Sequence, residues 1–199
     1  FGNPWQLIWV FDEDPDTTVV CEGYAKATMY FLNLIGIECT VVPGYLRQNG
    51  TMHLWNAVKI DDKWYYVDTT WGDEDFENTS NVPEIRYDYL CVNEDQINGT
   101  HVIDNIVEMP KCVSTDMNYY NQTGKMLYSC DENSLMKIFK DFSINGITQF
   151  ACNDDIVYQQ VSDYLISQQK VFQYLPDKKS NIGYITNNDI RSFTFWIKN

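Results

Sequence analysis

The sequence predicts an α+β protein, and three observations carry that expectation. Between Val19 and Gly36, "VVCEGYAKATMYFLNLIG", apolar residues return at three- and four-residue steps, the spacing of one helix face. From His53 to Asp73, "HLWNAVKIDDKWYYVDTTWGD", two alternating runs flank Asp61-Asp62 in the manner of a β-hairpin. After Gly124 a second helical stripe is followed by short apolar runs of strand length, separated by turn residues.

In chain order, the first helix takes its stripe from Tyr24, Ala27, Thr28, Phe31, Leu32 and Ile35, with Gly36 as its C-terminal stop. Asp16, Thr17 and Thr18 are its capping candidates, so Cys21 falls in or beside the first turn. "IECTVVPGYL" reads as a strand broken at Pro43-Gly44. In the hairpin, His53, Trp55 and Ala57 share one face of the first arm, and Trp64, Tyr66, Asp68 and Thr70 share one face of the second. If Asp61-Asp62 form a two-residue loop, Ile60 faces Lys63 and Asp68 becomes the diagonal neighbour of His53. A loop one step earlier sets the two directly opposite, and a three-residue loop without a bulge sends them to opposite faces.

Residues 77–124 read as loop with short strands, "RYDYLCV" being the best of them. Leu135, Ile138, Phe139 and Phe142 then form a helix stripe that ends before Gly146. "ITQFAC" is the next strand, and Asn153 caps a second helix running to about Gln169. Three more strands fit "KVFQYL", "NIGYIT" and "RSFTFWI", joined by turns at Pro176-Asp177 and Asn187-Asn188. The expected organisation is a core over residues 1–122 and a small α+β module over 123–199, packed on that core. Such a module sits near the lower size limit for independent folding.

Composition narrows the function classes. A chain of 199 residues with 44% hydrophobic and 15% aromatic content buries a core and is not a disordered segment. The net charge of −14, from 28 acidic and 14 basic residues, repels phosphate backbones and argues against a nucleic-acid partner. Apolar runs are far shorter than the roughly 20 residues a bilayer needs, so no transmembrane segment is expected. The opening "FGNPW", without methionine or signal peptide, is expected of a processed fragment whose targeting information lies upstream. The run Asp73, Glu74, Asp75, Glu77 lacks the spacing of a calcium loop and reads as solvated. The six cysteines include no CxxC pair, which leaves a structural zinc site without support. Cys91 with Cys112, and Cys130 with Cys152, are candidate disulfides for an oxidising compartment, though sequence does not fix connectivity.

One constellation carries chemistry: a cysteine at a helix N-terminus, a histidine on a strand and an aspartate on the neighbouring strand. A free thiol ionises near ~8.5, and a helix N-terminus together with an adjacent imidazolium stabilises its thiolate. Histidine moves the proton during acyl transfer. A carboxylate behind it fixes the tautomer and stabilises the charged ring.

The strings "VVCEGYAKA", "GIECTVVPGY" and "HLWNAVKIDDKWYYVDTTWGD" resemble three blocks of the transglutaminase-like superfamily. The resemblance covers Trp5 to Asp73 in detail, continues loosely to about Tyr120, and is nearest to the bacterial cell-surface branch. It implies a papain-like fold, with a cysteine-bearing helix packed on an antiparallel sheet, and an extracellular or cell-surface location. Position by position it implies Cys21 as nucleophile, His53 as general base and acid, and Asp68 as the orienting carboxylate. Gln6, Trp5 and Trp9 are the side chains from which an oxyanion donor would come, beside the Cys21 backbone N–H. Trp55, Trp64, Tyr65 and Tyr66 would clamp the hairpin, and Tyr24 and Tyr45 would line the cleft or fill the core. Cys39 reads as a buried free thiol. Two departures stand out: Asp62 replaces the usual glycine of the turn, and only 20 residues precede Cys21. His101, in "NGTHVIDN", lies outside the matched blocks and reads as a loop histidine with a structural or solvated role.

The expected function is that of a cysteine enzyme acting on protein or peptide amide bonds through a thioester. Water resolving the thioester makes a peptidase or amidase, and a second amine makes a transamidase; no cofactor or metal is called for. An N-glycan amidase shares the fold. The alternative from another class is a non-catalytic binding or scaffold module that keeps the fold.

Overall fold

The computed structural model describes the chain except residues 1, 4, 13, 15, 74–81, 84, 176–180 and 199, and the side chains of residues 141 and 143. The acidic run beyond Asp73 and the expected turn at Pro176-Asp177 lie outside the described residues. The fold is α+β, and the chain divides into two units: Phe1–Glu74 with Asp88–Asn118, and Asp75–Tyr87 with Tyr119–Asn199.

The first unit holds helices α1 (Gln6–Trp9), α2 (Cys21–Leu34) and α3 (Glu94–Ile97). Its strands are β1 (Cys39–Leu46), β2 (Met52–Ile60), β3 (Lys63–Val67), β4 (Leu90–Val92) and β5 (His101–Ile103). They form one antiparallel sheet in the order β4-β3-β2-β1-β5. α2 starts at Cys21, two residues after the expected Val19. Its N-cap is Val20, in extended conformation and without a side-chain cap, so Asp16, Thr17 and Thr18 do not cap it. The N–H of Val20 donates instead to Oε1 of Gln6 on α1 (3.4 Å). The two helices approach so closely that a Cβ at Gly23 would stand 2.9 Å from the Gln6 carbonyl oxygen. The buried face matches the expected stripe only in part: Ala27 is buried as expected, but so are Cys21 and Ala25 off the stripe, whereas Phe31 and Ile35 are exposed. Cys21 is the first residue of the helix.

The hairpin forms in the register of a two-residue loop, Ile60 opposite Lys63 and Ala57 opposite Tyr66. Asp61 and Asp62 both have positive φ, +48° and +60°. The type I′ geometry therefore persists although aspartate stands where glycine would be less strained. β1 runs unbroken through Pro43. The carbonyl of Pro43 accepts from the N–H of Asp104, so its ring nitrogen faces the same side, where the short β5 ladder ends and no donor is needed.

Gly44 sits opposite His53 on one side and Ile103 on the other. A Cβ there would lie 2.2 Å from the Val102 carbonyl oxygen and 2.5 Å from the Trp55 ring. Gly44→Ala should therefore lower stability by about 1–3 kcal/mol, the usual cost of overpacking. An unchanged urea midpoint would show that the strand has room the geometry denies.

The second unit contains α4 (Tyr119–Gln122), α5 (Glu132–Asn145) and α6 (Asp155–Ser162), with strands β6 (Met126–Leu127), β7 (Ile147–Cys152), β8 (Asn181–Asn187) and β9 (Ser192–Lys198). Strand order is β6-β7-β9-β8, with β6 parallel to β7 and the other pairs antiparallel. The stripe Leu135, Ile138, Phe139, Phe142 is buried as expected and packs with Phe150, Phe193 and Phe195. Gly146 ends α5 at φ +71°, the left-handed conformation that glycine adopts freely. Two expectations change. The second helix is capped by Asp154 rather than Asn153 and continues after Ser162 as a π-helical turn, Asp163–Ser167. "KVFQYL" is a 3₁₀ helix over Lys170–Tyr174 and not a strand. No helix among the described residues is long and apolar enough to cross a membrane.

Candidate active site

Cys21, His53 and Asp68 arrive from three elements of the first unit, and short polar ties set their spacing. Asn56, next to Trp55 on β2, donates its Nδ2 to the Ala25 carbonyl of α2 (2.9 Å). Asn33 near the end of α2 bonds both backbone groups of Cys39 at the start of β1 (3.0 Å each). Thr28 of α2 meets Thr69 beyond β3 (3.0 Å), and the Tyr24 hydroxyl donates to Asp73 (2.8 Å). Together these tie α2 along its length to β1, to β2 and to the chain that follows β3.

Asp68 follows β3 and is buried. Its Oδ1 accepts the N–H groups of Thr70 (3.0 Å) and Trp71 (3.3 Å), which bends the chain back at once. That bend lays the Trp71 ring 5.9 Å from the ring of His53, while Trp55 stacks on His53 at 6.0 Å. Asp68 Oδ2 faces His53 Nε2 at 2.7 Å. An ionised carboxylate only accepts, so His53 is protonated at Nε2 and presents Nδ1 as its other nitrogen.

Burial opposes charge on His53, but hydrogen bonding to Asp68 and Cys21, with the charges of both, outweighs it and pushes the pKa up to about 9. Burial likewise pushes the Asp68 carboxyl up, and the hydrogen bonds from His101 and His53 overcome that and hold it below the ordinary carboxylate range. Glu22, beside Cys21, is neutralised by Lys26 at 2.5 Å, which limits its repulsion of a neighbouring thiolate.

The raised His53 value has a consequence for stability. A folded-state pKa above the unfolded one contributes stability that is complete below pH ~6.5 and fades as the pH climbs through about 9. Wild type should therefore lose more urea resistance between pH 6.5 and pH 10 than His53→Gln does. Equal losses in the two proteins would contradict the raised value.

The other sequence candidates separate clearly. Gln6 is buried against the start of α2, whereas Trp5 is 60% exposed and Trp9 is half-buried at the end of α1. Trp55, Tyr65 and Tyr66 are buried in the sheet, with Trp64 half-buried. The Tyr45 hydroxyl donates to Asp104 at 3.2 Å. All six cysteines are free, so neither candidate disulfide is formed. Cys39 is buried as expected, and burial pushes its thiol up to about 11.

His101 is the residue that sequence reasoning misplaced. It is neither in a loop nor solvated: it opens β5, is fully buried, and puts Nε2 3.0 Å from the same Asp68 Oδ2 that His53 contacts. Its neighbour pattern "THVI" was the available signal, since a short alternating run can be an edge strand. His53, Asp68 and His101 have ligand-type atoms within 4.8 Å of one another, a set that suits a divalent ion by type. The two ring nitrogens already point at one carboxylate oxygen and the other oxygen is occupied by backbone N–H groups, so the cluster is complete as a proton network.

The transglutaminase-like superfamily profile matches residues 9–69. Kyphoscoliosis peptidase from Homo sapiens is 37% identical over 62 residues, covering 26% of this chain and 9% of that protein. Its Mus musculus counterpart is 36% identical over 62 residues, with the same shares. The chain thus spans about 9% of the length of these curated relatives. These matches concern residues 9–69 and do not point to a bacterial cell-surface branch. By them the chain carries a transglutaminase-like segment, residues 9–69, on which Cys21, His53 and Asp68 all lie.

Proposed function

We propose that the first unit is a cysteine acyl-transfer enzyme acting on protein or peptide amide bonds. The observation that carries this reading is His53, bonded to Asp68 at 2.7 Å through Nε2, with Cys21 among the groups that raise its pKa. Cys21 at the N-terminus of a 14-residue helix adds the favourable end of the helix dipole.

In the forward half-reaction the Cys21 sulfur forms a bond to the amide carbon, and the carbonyl oxygen takes up the negative charge. The backbone N–H of Cys21 is one donor for that oxyanion. The side chain of Gln6 is the better placed second donor, because it is buried beside the first turn of α2 while Trp5 is exposed. Its Oε1 is held by the Val20 N–H, which leaves its amide N–H groups for the substrate. The carbon–nitrogen bond then breaks as His53 hands its proton to the leaving amine, and a thioester remains. Water or a second amine attacks the thioester, His53 takes the proton, and the carbon–sulfur bond breaks to regenerate the thiolate.

The test is mass spectrometry of the protein and products after incubation with a glutamine-containing peptide, with and without a primary amine. An acyl adduct on Cys21, with hydrolysed or amine-exchanged peptide, is the expected result. Alkylation of Cys21 by iodoacetamide should also be fast well below pH 8. Slow alkylation with an ordinary thiol profile, and no adduct, would overturn the reading.

A further inference from the structure

We infer that His101 is a positioning residue of this site: by donating its Nε2–H to Asp68 Oδ2 alongside His53, it fixes the carboxylate and takes a share of its charge. This rests on the acyl-transfer reading for its meaning, but its test does not.

The argument begins with the capacity of the carboxylate. Two oxygens offer about four acceptor positions, and four donors occupy them: Thr70 N and Trp71 N on Oδ1, His53 Nε2 and His101 Nε2 on Oδ2. Asp68 has no freedom left to rotate or to take another donor. The two histidines are not equivalent, however. His53 must gain and lose a proton to serve Cys21. The far nitrogen of His101, Nδ1, meets the Thr100 hydroxyl at 2.7 Å, and that oxygen also lies 3.3 Å from the Ile97 carbonyl. A hydroxyl can donate or accept. It donates to Nδ1 when His101 is neutral, and accepts from Nδ1–H while donating to Ile97 when His101 is charged. Nε2 keeps its hydrogen toward Asp68 in both states, so His101 is a constant donor.

Its surroundings keep it in place. The rings of Trp71, Trp55, His53 and Tyr89 stand 4.7, 4.8, 5.2 and 5.5 Å from its own. Among the described residues, the titratable groups facing it are His53 from β2, Asp68 from the end of β3 and Tyr89 ahead of β4, with Cys21 of α2 acting through His53. Negative charge on Asp68 that would otherwise fall wholly on His53 is divided between two buried donors, where such sharing has most effect.

The test compares the pH profile of Cys21 alkylation in wild type, His101→Phe and His101→Gln. Phenylalanine fills the volume without a donor, and the Gln Nε2 stands where the imidazole Nε2 does. In His101→Phe the basic limb, where His53 gives up its proton, should move upward by about half a pH unit or more, and His101→Gln should restore it. An unchanged or downward-shifted limb, or a shift that Gln fails to reverse, overturns the assignment. If the variants do not fold, ring ¹⁵N spectra of the wild type answer the same question, because the chain has only two histidines. His101 Nε2 should stay protonated throughout the titration of His53, and an unprotonated Nε2 on His101 at any point in it refutes the constant donor. A wild type without an activated Cys21 would sink the acyl-transfer reading alone, since the ring spectra still report the His101–Asp68 bond.

Discussion

Cys21→Ala is expected to lower amide-bond turnover by a factor on the order of 10⁴ or more, while the protein stays folded. The size follows from what is lost. Without the thiolate no thioester forms, and what remains is binding and oxyanion stabilisation, which by themselves give only a small part of such catalysis. The fold should tolerate the change because Cys21 is the first residue of α2 and no side chain caps that end. Alanine is a strong helix former, and the sulfur removed is small, so the stability change should stay within about 1 kcal/mol. Single-turnover mass spectrometry, with far-UV circular dichroism as the control for folding, checks both halves. Turnover persisting in a pure, folded variant would remove Cys21 as nucleophile.

Asp68→Asn is expected to cost on the order of 10²–10⁴ in kcat with little change in KM. The substitution is nearly isosteric, so packing is not the cause. Four N–H donors converge on the side chain, and an amide can accept them on only one of its two ends. If its oxygen serves Thr70 and Trp71, its NH₂ faces the Nε2–H groups of both histidines. Relief requires His53 or His101 to change tautomer or swing away. A His53 protonated at Nδ1 can no longer take a proton from that side, the fault expected when a carboxylate behind a catalytic histidine is neutralised. The same change removes the charge that keeps His53 protonated, so the basic limb of Cys21 alkylation should fall to lower pH. Wild-type kcat together with a wild-type pH profile would take Asp68 out of the site.

Several elements were legible in the sequence because local chemistry determines them. The hairpin was legible from alternation on both arms, and of the loop lengths the sequence left open the structure adopts the two-residue one, which sets Asp68 diagonal to His53. α5 was legible because a four-residue apolar stripe ends at a glycine that must adopt positive φ. α2 was legible as a helix, but its boundary and buried face were not. Its N-cap, Val20, has no side-chain cap and is tied by its N–H to Gln6 of another helix, and Phe31 and Ile35 are exposed despite falling on an apolar stripe. Periodicity states that a face exists; what covers the face is a tertiary matter. "KVFQYL" shows the same limit, since a short apolar run fits a buried strand and a tight helix equally well.

By itself, the sequence determined which residue types would meet. It places a cysteine at a helix start, a histidine and an aspartate on the two arms of one hairpin, and aromatic residues around them. Each of those follows from interactions between residues close in the chain or joined by one turn. Only the tertiary structure decided that His101 belongs to the same cluster. It reaches Asp68 because β5 pairs with β1, opposite residues 44–46, and that pairing depends on sheet order and not on any neighbour in sequence. Only the tertiary structure, likewise, decided that Gln6 lies beside the start of α2, through a close helix approach that Gly23 permits. Contacts across long stretches of chain are selected by packing of the whole unit, and no local pattern encodes them.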